Sequence, residues 1–243
     1  MNDFSWLYDW PRFIPNLLPG LWMAIGLTIA SCGMGYVLGF FFALMADAKS
    51  KVLRIVSLVL VELGRGIPIL VLLLIVYQGL PQFGIMLGAT PAAIAALTFS
   101  AAGYSSEMIR AGLGAVPKGQ FEAANSVSMS ALDTYRFVII PQAARISIPP
   151  LVNLTIIIFQ ATSLATVITV PEIMQRAGII GSATFEYMSV YTAAAVIYLC
   201  ITIPGAYLSS YFERRLGGAK KRPKLRARIN HARSNTVPQP EHV

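Results

Sequence analysis

The sequence predicts an all-α polytopic membrane protein, with about five transmembrane helices and one short polar helix standing out of the bilayer. Three observations carry this. Of 243 residues, 56% are hydrophobic and only 12% charged, where a soluble domain is about a quarter charged. The apolar residues form runs long enough to cross a hydrocarbon core. The charges collect between those runs, with Lys and Arg favouring one side. The net charge of +8 would suit nucleic acid or a membrane surface. Its place beside apolar spans assigns it to anionic lipid, so no nucleic-acid partner is expected.

Residues 1–20 read as an external N-terminal segment. They hold Asp3, Asp9 and prolines at 11, 15 and 19 but no basic region followed by an apolar one, so they are not a signal peptide. Trp6, Tyr8, Trp10 and Trp22 read as interfacial anchors. The first span covers about 21–46, with small residues along one face. Its Gly35 and Gly39 form a GxxxG pair that implies close helix packing or, less often, a dimer seam. Cys32 and Cys200 sit inside apolar runs without metal-ligand spacing and read as buried small hydrophobes.

A second apolar stretch, 52–80, is interrupted by Glu62-Leu63-Gly64-Arg65-Gly66-Ile67-Pro68. The expectation is a helix to about Leu63, a break, and a new helix with Pro68 in its first turn. The third span, 91–112, carries Glu107 and Arg110 at the same spacing as Glu62 and Arg65. Residues three apart on a helix are neighbours, and unpaired charge in a membrane is costly. These four should neutralise one another at one face, as plain interfacial pairing or as a latch between spans. Tyr104 lies just above them and could line a pathway.

Residues 116–143 form the polar stretch. From Gln120 to Leu132 the apolar positions give a loose amphipathic helix too short to cross a membrane. Pro117 and Gly119 turn the chain into it, and Pro141 marks its far boundary, because the residue before a proline is pushed out of helical geometry. Such a helix suits docking to a soluble partner, or is a solvated connection. Its residues resemble the EAA loop of ABC-importer permeases: Glu122-Ala123-Ala124, a small residue at Ser128, then Ile139-Ile140-Pro141. Val116-Pro117-Lys118-Gly119-Gln120 before it and Gln142-Ala143 after it resemble the polar-amino-acid branch, the E-x-x-R-G-x-P break at Glu62 fits the same family, and Phe121 is counted with the coupling residues. The family usually has glycine at Ser128 and leucine at Ile140. Glycine serves where φ must be positive, and serine there costs roughly 1 kcal/mol.

The fourth span, about 145–170, should be kinked or broken at Pro149-Pro150. Its middle carries Asn153, Gln160, Thr162 and Ser163. Polar groups at membrane depth line a cavity or bond back to their own helix, and both readings stand. Where the resembling family has K-D-T-S-L this chain has Gln160-Ala161-Thr162-Ser163-Leu164, so the pathway is neutral. An external segment, 171–187, should hold a short helix from Pro171 to Arg176, and the last span covers about 188–212. Residues 217–243 are basic, proline-containing and poor in large apolar groups, which predicts a disordered tail.

Of the 19 Lys and Arg, only Arg12 and Arg176 fall on the side opposite the polar loop. By the positive-inside rule the loop and tail are cytoplasmic and the N-terminus is outside; the resemblance implies a bacterial plasma membrane. No phosphate-binding G-x-x-x-x-G-K-[ST] is present, and His231 and His242 both lie in the tail, so neither ATP hydrolysis nor triad chemistry belongs to this chain. No catalytic residue, metal or cofactor is expected on it. The resemblance implies the permease subunit of an importer for a polar amino acid or small zwitterion. ATP and Mg would act on partner ATPase subunits, with a second permease, copy or paralogue, alongside and an extracytoplasmic solute-binding protein above. An importer for an amino-acid derivative or compatible solute, and a channel without an ATPase, are the alternatives.

Overall fold

A computed structural model describes residues 9–216, and within them the chain is helical with no strand. The readings of Trp6, Tyr8 and the basic tail lie outside the described residues. Three helices are long and apolar enough to cross a membrane: Trp10–Ala46, Ala131–Ile168 and Tyr187–Leu216. The pair Lys51–Gly66 and Ile69–Phe83, bent by 104°, gives a fourth. The fifth helix of the bundle is α4 (Ala89–Gly114), 26 residues long. Its alanine, serine and glycine lower its hydropathy, which is tolerable because α4 is the centre of the bundle and meets protein more than lipid.

Helix α1 (Trp10–Ala46) starts well before residue 21. Pro11 occupies the first turn, where the missing N–H costs nothing. Pro15 and Pro19 follow inside the helix, each removing an internal hydrogen bond. Packing offsets this loss: Phe13, Leu17 and Ala24 are buried against Ile173 and Ala177 of α8 (Ile173–Thr184) and against Val190 and Ala193 of α9 (Tyr187–Leu216). Trp10 is tied inward, its Nε1 donating to Thr192 Oγ1 at 3.0 Å, while Trp22 stays exposed. The Gly35–Gly39 face lies on α4, with Ala101, Ala102 and Ser105 against it, so it is an internal packing face.

Helix α2 (Lys51–Gly66) crosses α4 where Gly64 meets Gly103 backbone to backbone. Ile67 then leaves helical geometry (φ −84°, ψ 128°), as a residue before proline does. Pro68 caps α3 (Ile69–Leu74), which winds through a π turn and a 3-10 turn to Phe83. The main core gathers Leu72 and Leu73 of α3, Ala93 and Leu97 of α4, and Leu154 and Ile158 of α7 (Ile140–Ala161).

The polar stretch departs from expectation. Helix α5 (Lys118–Ser126) ends four residues after Glu122, not at Leu132. A new helix starts at Ser130, whose Oγ accepts from the Asp133 N–H (3.2 Å) and donates to Asp133 Oδ2 (2.6 Å). It continues without interruption from α6 (Ala131–Asp133) through a π-helical turn, Thr134–Ile139, into α7 (Ile140–Ala161). Pro141 therefore bounds nothing. The wider turn preceding it re-registers the hydrogen-bond ladder where the proline N–H is missing. Pro149 and Pro150 likewise do not break α7, and Ser209 Oγ donates to the Pro149 carbonyl at 3.3 Å. After a 3-10 segment, Thr162–Ile168, comes α8 (Ile173–Thr184), then α9 (Tyr187–Leu216). Helix α8 is longer than expected and is capped by Glu172, with Pro171 outside it. Cys32 is buried, but Cys200 is exposed on α9.

Candidate functional site

Helix α5 has two distinct faces. Inward, Phe121 meets Tyr135 edge-on (5.9 Å between centroids), Ala124 is buried, and Gln142 Nε2 donates to Gln120 Oε1 at 3.0 Å. Val116, Ile139 and Ala143 form the apolar seat beneath. Outward, Lys118, Gly119, Glu122 and Ala123 are exposed, with Val127 70% and Leu132 75% exposed beyond them. A rigid helix with charge, small residues and bare apolar side chains on its free face is suited to docking. Pro141 lies exposed on the adjoining helix.

The helix ends in a tight, defined turn. Ser128 has φ +56°. Its N–H donates to the Asn125 carbonyl (2.9 Å), and the Met129 N–H to the Ala124 carbonyl (3.1 Å). Those two bonds and one left-handed residue constitute a Schellman cap, a position where glycine is favoured. The serine therefore carries a local strain of about 1 kcal/mol. Ser128→Gly is expected to raise stability by about that amount without loss of transport; a melting temperature that falls would contradict the geometry.

The four membrane-edge charges do not form one network. Arg65 binds Glu62 on its own helix (Nη2 to Oε1, 2.5 Å) and reaches Glu107 on α4 through Nη1. Arg110 instead points to Asp47 at the end of α1, at 3.7 Å. One turn separates Glu107 from Arg110 on α4, and the exit of α1 lies nearer the latter. Tyr104, 39% exposed, donates its hydroxyl to the Arg65 carbonyl at 3.2 Å. Glu62, Arg65, Glu107 and Tyr104 thus clamp α2 to α4 just before the 104° bend. The Asp47–Arg110 pair opens onto a cavity of about 480 Å³ behind α5, walled by Phe121 and Tyr135.

Of the polar residues in the fourth span, Gln160 and Ser163 line a cavity of about 740 Å³ with Thr166, Tyr191 and Tyr198. No charged side chain lines it. Thr162 is not on that wall: it is fully buried, and its hydroxyl donates to the Phe159 carbonyl at 2.7 Å. Ser163 bonds back in the same way, to the Gln160 carbonyl (2.7 Å). Asn153 is exposed on α7, away from this cavity.

One residue of this region was hidden in the sequence. Glu172 is fully buried at the start of α8, where Oε1 accepts from the Gln175 N–H (2.8 Å) and Oε2 from the Met174 N–H (2.8 Å) and Tyr198 hydroxyl (3.1 Å). Burial pushes its carboxyl up from the usual range, and the two backbone donors and Tyr198 oppose the shift. Gly20 of α1 lies against its backbone, so close that a Cβ would sit 2.7 Å from the Glu172 carbonyl carbon. Glu172 thereby ties the start of α8 to Tyr198 in the cavity wall, and Gly20 lets α1 pack closely against its backbone. A carboxylate after proline is the only sequence signal, and it says nothing of burial.

Residues 35–218 match the family described as binding-protein-dependent transport system inner membrane component. The chain is 37% identical over 220 residues to the probable amino-acid ABC transporter permease protein YckA of Bacillus subtilis (strain 168), covering 88% of this chain and 97% of that one. It is 40% identical over 205 residues to the L-cystine transport system permease protein TcyB of the same organism, covering 84% and 88%. Among solved structures, it resembles the crystal structure of an amino acid ABC transporter with histidines, with a TM-score of 0.81 and 37% identity over 86% of this chain and 98% of that one.

Proposed function

Since the chain belongs to the binding-protein-dependent transport system inner membrane components, we propose how it works as the membrane-spanning permease subunit of an amino-acid ABC importer. The observation that carries the proposal is α5, which holds Glu122-Ala123-Ala124 between an apolar seat and a Schellman cap and leaves its charged face bare. This helix docks into a separate ATPase subunit, where ATP and Mg are bound. A second permease, copy or paralogue, stands beside it, and a solute-binding protein delivers substrate from outside. Closure of the ATPases moves α5 and switches the spans between inward-open and outward-open.

In this reading α5 and the tail face the cytoplasm of a bacterial inner membrane, and the N-terminus faces outward. The support is the distribution of Lys and Arg. A cysteine placed at Ser234 is expected to react with an impermeant reagent only after permeabilisation, and one at Ala183 without it. Reaction in the opposite order would place α5 on the wrong side for an ATPase.

The cavity beside Gln160 and Ser163 is the candidate pathway. Its lining is uncharged, which fits an amino acid of net-neutral side chain, with charge selection left to the binding protein. The names of the relatives, amino-acid and L-cystine permeases, support an amino acid as the substrate. A lost neutral hydrogen bond costs about 1 kcal/mol, so Gln160→Ala is expected to raise the half-saturating substrate concentration of the assembled importer roughly fivefold. An unchanged value, with the variant present in normal amount, would remove Gln160 from the pathway. The Arg65 clamp is proposed as the latch between α2 and α4 at the cytoplasmic end of this route.

A further inference from the structure

A second cavity, of about 400 Å³, opens toward the lipid between α1, α7 and α9. Ile25 and Ile29, Val152 and Ile156, and Ile201 and Leu208 form its three walls. Ile29 and Leu208 are at least half exposed, so it is an open groove. Of the three threonines on the wall, two turn their hydroxyls away: Thr28 donates to the Ala24 carbonyl (2.7 Å) and Thr155 to the Leu151 carbonyl (3.1 Å), while Thr202 is buried and shared with the cavity beside Gln160 and Ser163. The wall thus offers hydrocarbon and methyl groups, which suits an acyl chain and not a polar solute.

The charges beyond the groove identify the headgroup. Two contacts, Ser209 to Pro149 and Gly205 to Ile156, show that α7 and α9 run antiparallel. Going down from the groove, Arg145 lies seven residues before Val152 on α7, and Arg215 lies seven residues after Leu208 on α9. Seven residues are close to two turns, about 10 Å, and return to the same face. By helical register the two arginines therefore fall at about one depth below the groove and on its side. Arg215 is held there by Tyr211, one turn nearer the groove, whose hydroxyl accepts from Nη1 at 2.6 Å. Arg145 is exposed and has no ion pair among the described residues. Glu213, the nearest acid on α9, points about 200° round the helix from Arg215.

We propose that this groove and these two arginines form a binding site for an anionic phospholipid, with one acyl chain between α1, α7 and α9 and the phosphate between Arg145 and Arg215. Basic pockets between transmembrane helices bind anionic headgroups in this way. A neutral phospholipid would fill the groove but leave both arginines unanswered, and a second copy of the chain would present no phosphate to them.

The test uses the full chain reconstituted in vesicles of phosphatidylglycerol and phosphatidylcholine in equal parts, then extracted and examined by native mass spectrometry. The expected result is retention of one lipid, phosphatidylglycerol preferred roughly thirtyfold, about 1 kcal/mol for each of the two cations. Arg145→Gln with Arg215→Gln should bring the preference close to parity while Arg145→Lys with Arg215→Lys keeps most of it. Gly205→Leu, whose side chain would enter the groove beside Ile156, should remove the bound lipid of either kind. Equal retention of the two lipids by the unaltered chain would overturn the proposal. So would a disulfide-linked dimer forming in high yield from Leu208→Cys in a chain lacking Cys32 and Cys200, because the groove would then be covered by a second copy.

Discussion

Glu122→Lys is expected to reduce substrate uptake by at least tenfold while the protein reaches the membrane in normal amount. Glu122 lies on the bare face of α5, and its side chain makes no hydrogen bond or ion pair among the described residues. Only its backbone carbonyl is engaged, accepting from Ser126 Oγ at 2.9 Å. Reversing its charge therefore leaves the fold nearly untouched, as exposed substitutions generally do. The interface is a different matter. If α5 docks as proposed, a partner surface that meets a carboxylate would meet an ammonium instead, and a wrongly placed like charge costs several kcal/mol of association. Each 1.4 kcal/mol is tenfold in affinity, so even a partly solvated contact gives the predicted loss. Uptake should be measured together with co-purification of the ATPase. Wild-type uptake at normal expression would show that α5 does not couple ATP hydrolysis to transport.

Gly39→Leu should have the largest effect on stability. A Cβ at Gly39 would lie 2.1 Å from Ser105 Oγ, 2.8 Å from the Ala102 carbonyl oxygen and 3.1 Å from the Ser106 nitrogen. Two of those three are backbone atoms of the central helix and cannot rotate away. Helix α1 must move off α4, opening the most extensive helix contact in the bundle. The expected loss is about 3 kcal/mol or more, roughly a 10 °C fall in melting temperature for a chain of this size. Gly26→Leu is the matched control on the same helix, because a Cβ there meets nothing within 4 Å. If the two variants melt together, the packing of α1 on α4 is not what holds the bundle.

The bundle was legible because spans follow from apolar length, and length survives any error of a few residues. The turn after α5 was legible through the resemblance: the family has glycine where this chain has Ser128, glycine serves where φ is positive, and Ser128 has φ +56°. Boundaries were less readable. Pro141 looked like a stop because a proline removes a donor, but the π turn before it supplies another ladder, and nothing in the residues Thr134 to Ile139 announces that. Pairing was least readable. Glu107 and Arg110 share a helix and a spacing with Glu62 and Arg65, yet Arg110 turns to Asp47, because partner choice depends on where α1 ends in space. The burial of Glu172 was invisible for the same reason, since it depends on Gly20, far away in the sequence.

The uninterrupted run from Ala131 to Ile168 has a mechanical consequence. Its first turn adjoins the cap of α5, and its far end carries Gln160 and Ser163 at the large cavity. Those two places are about 44 Å apart along one rod. A rod that long acts as a lever: a tilt of roughly 5° about one end sweeps the other through roughly 4 Å, more than the diameter of a water molecule. Had Pro141 ended the helix, a flexible joint would have absorbed such a tilt. With the π turn in place of a joint, a push at the Ser130 corner would arrive at the cavity wall as displacement.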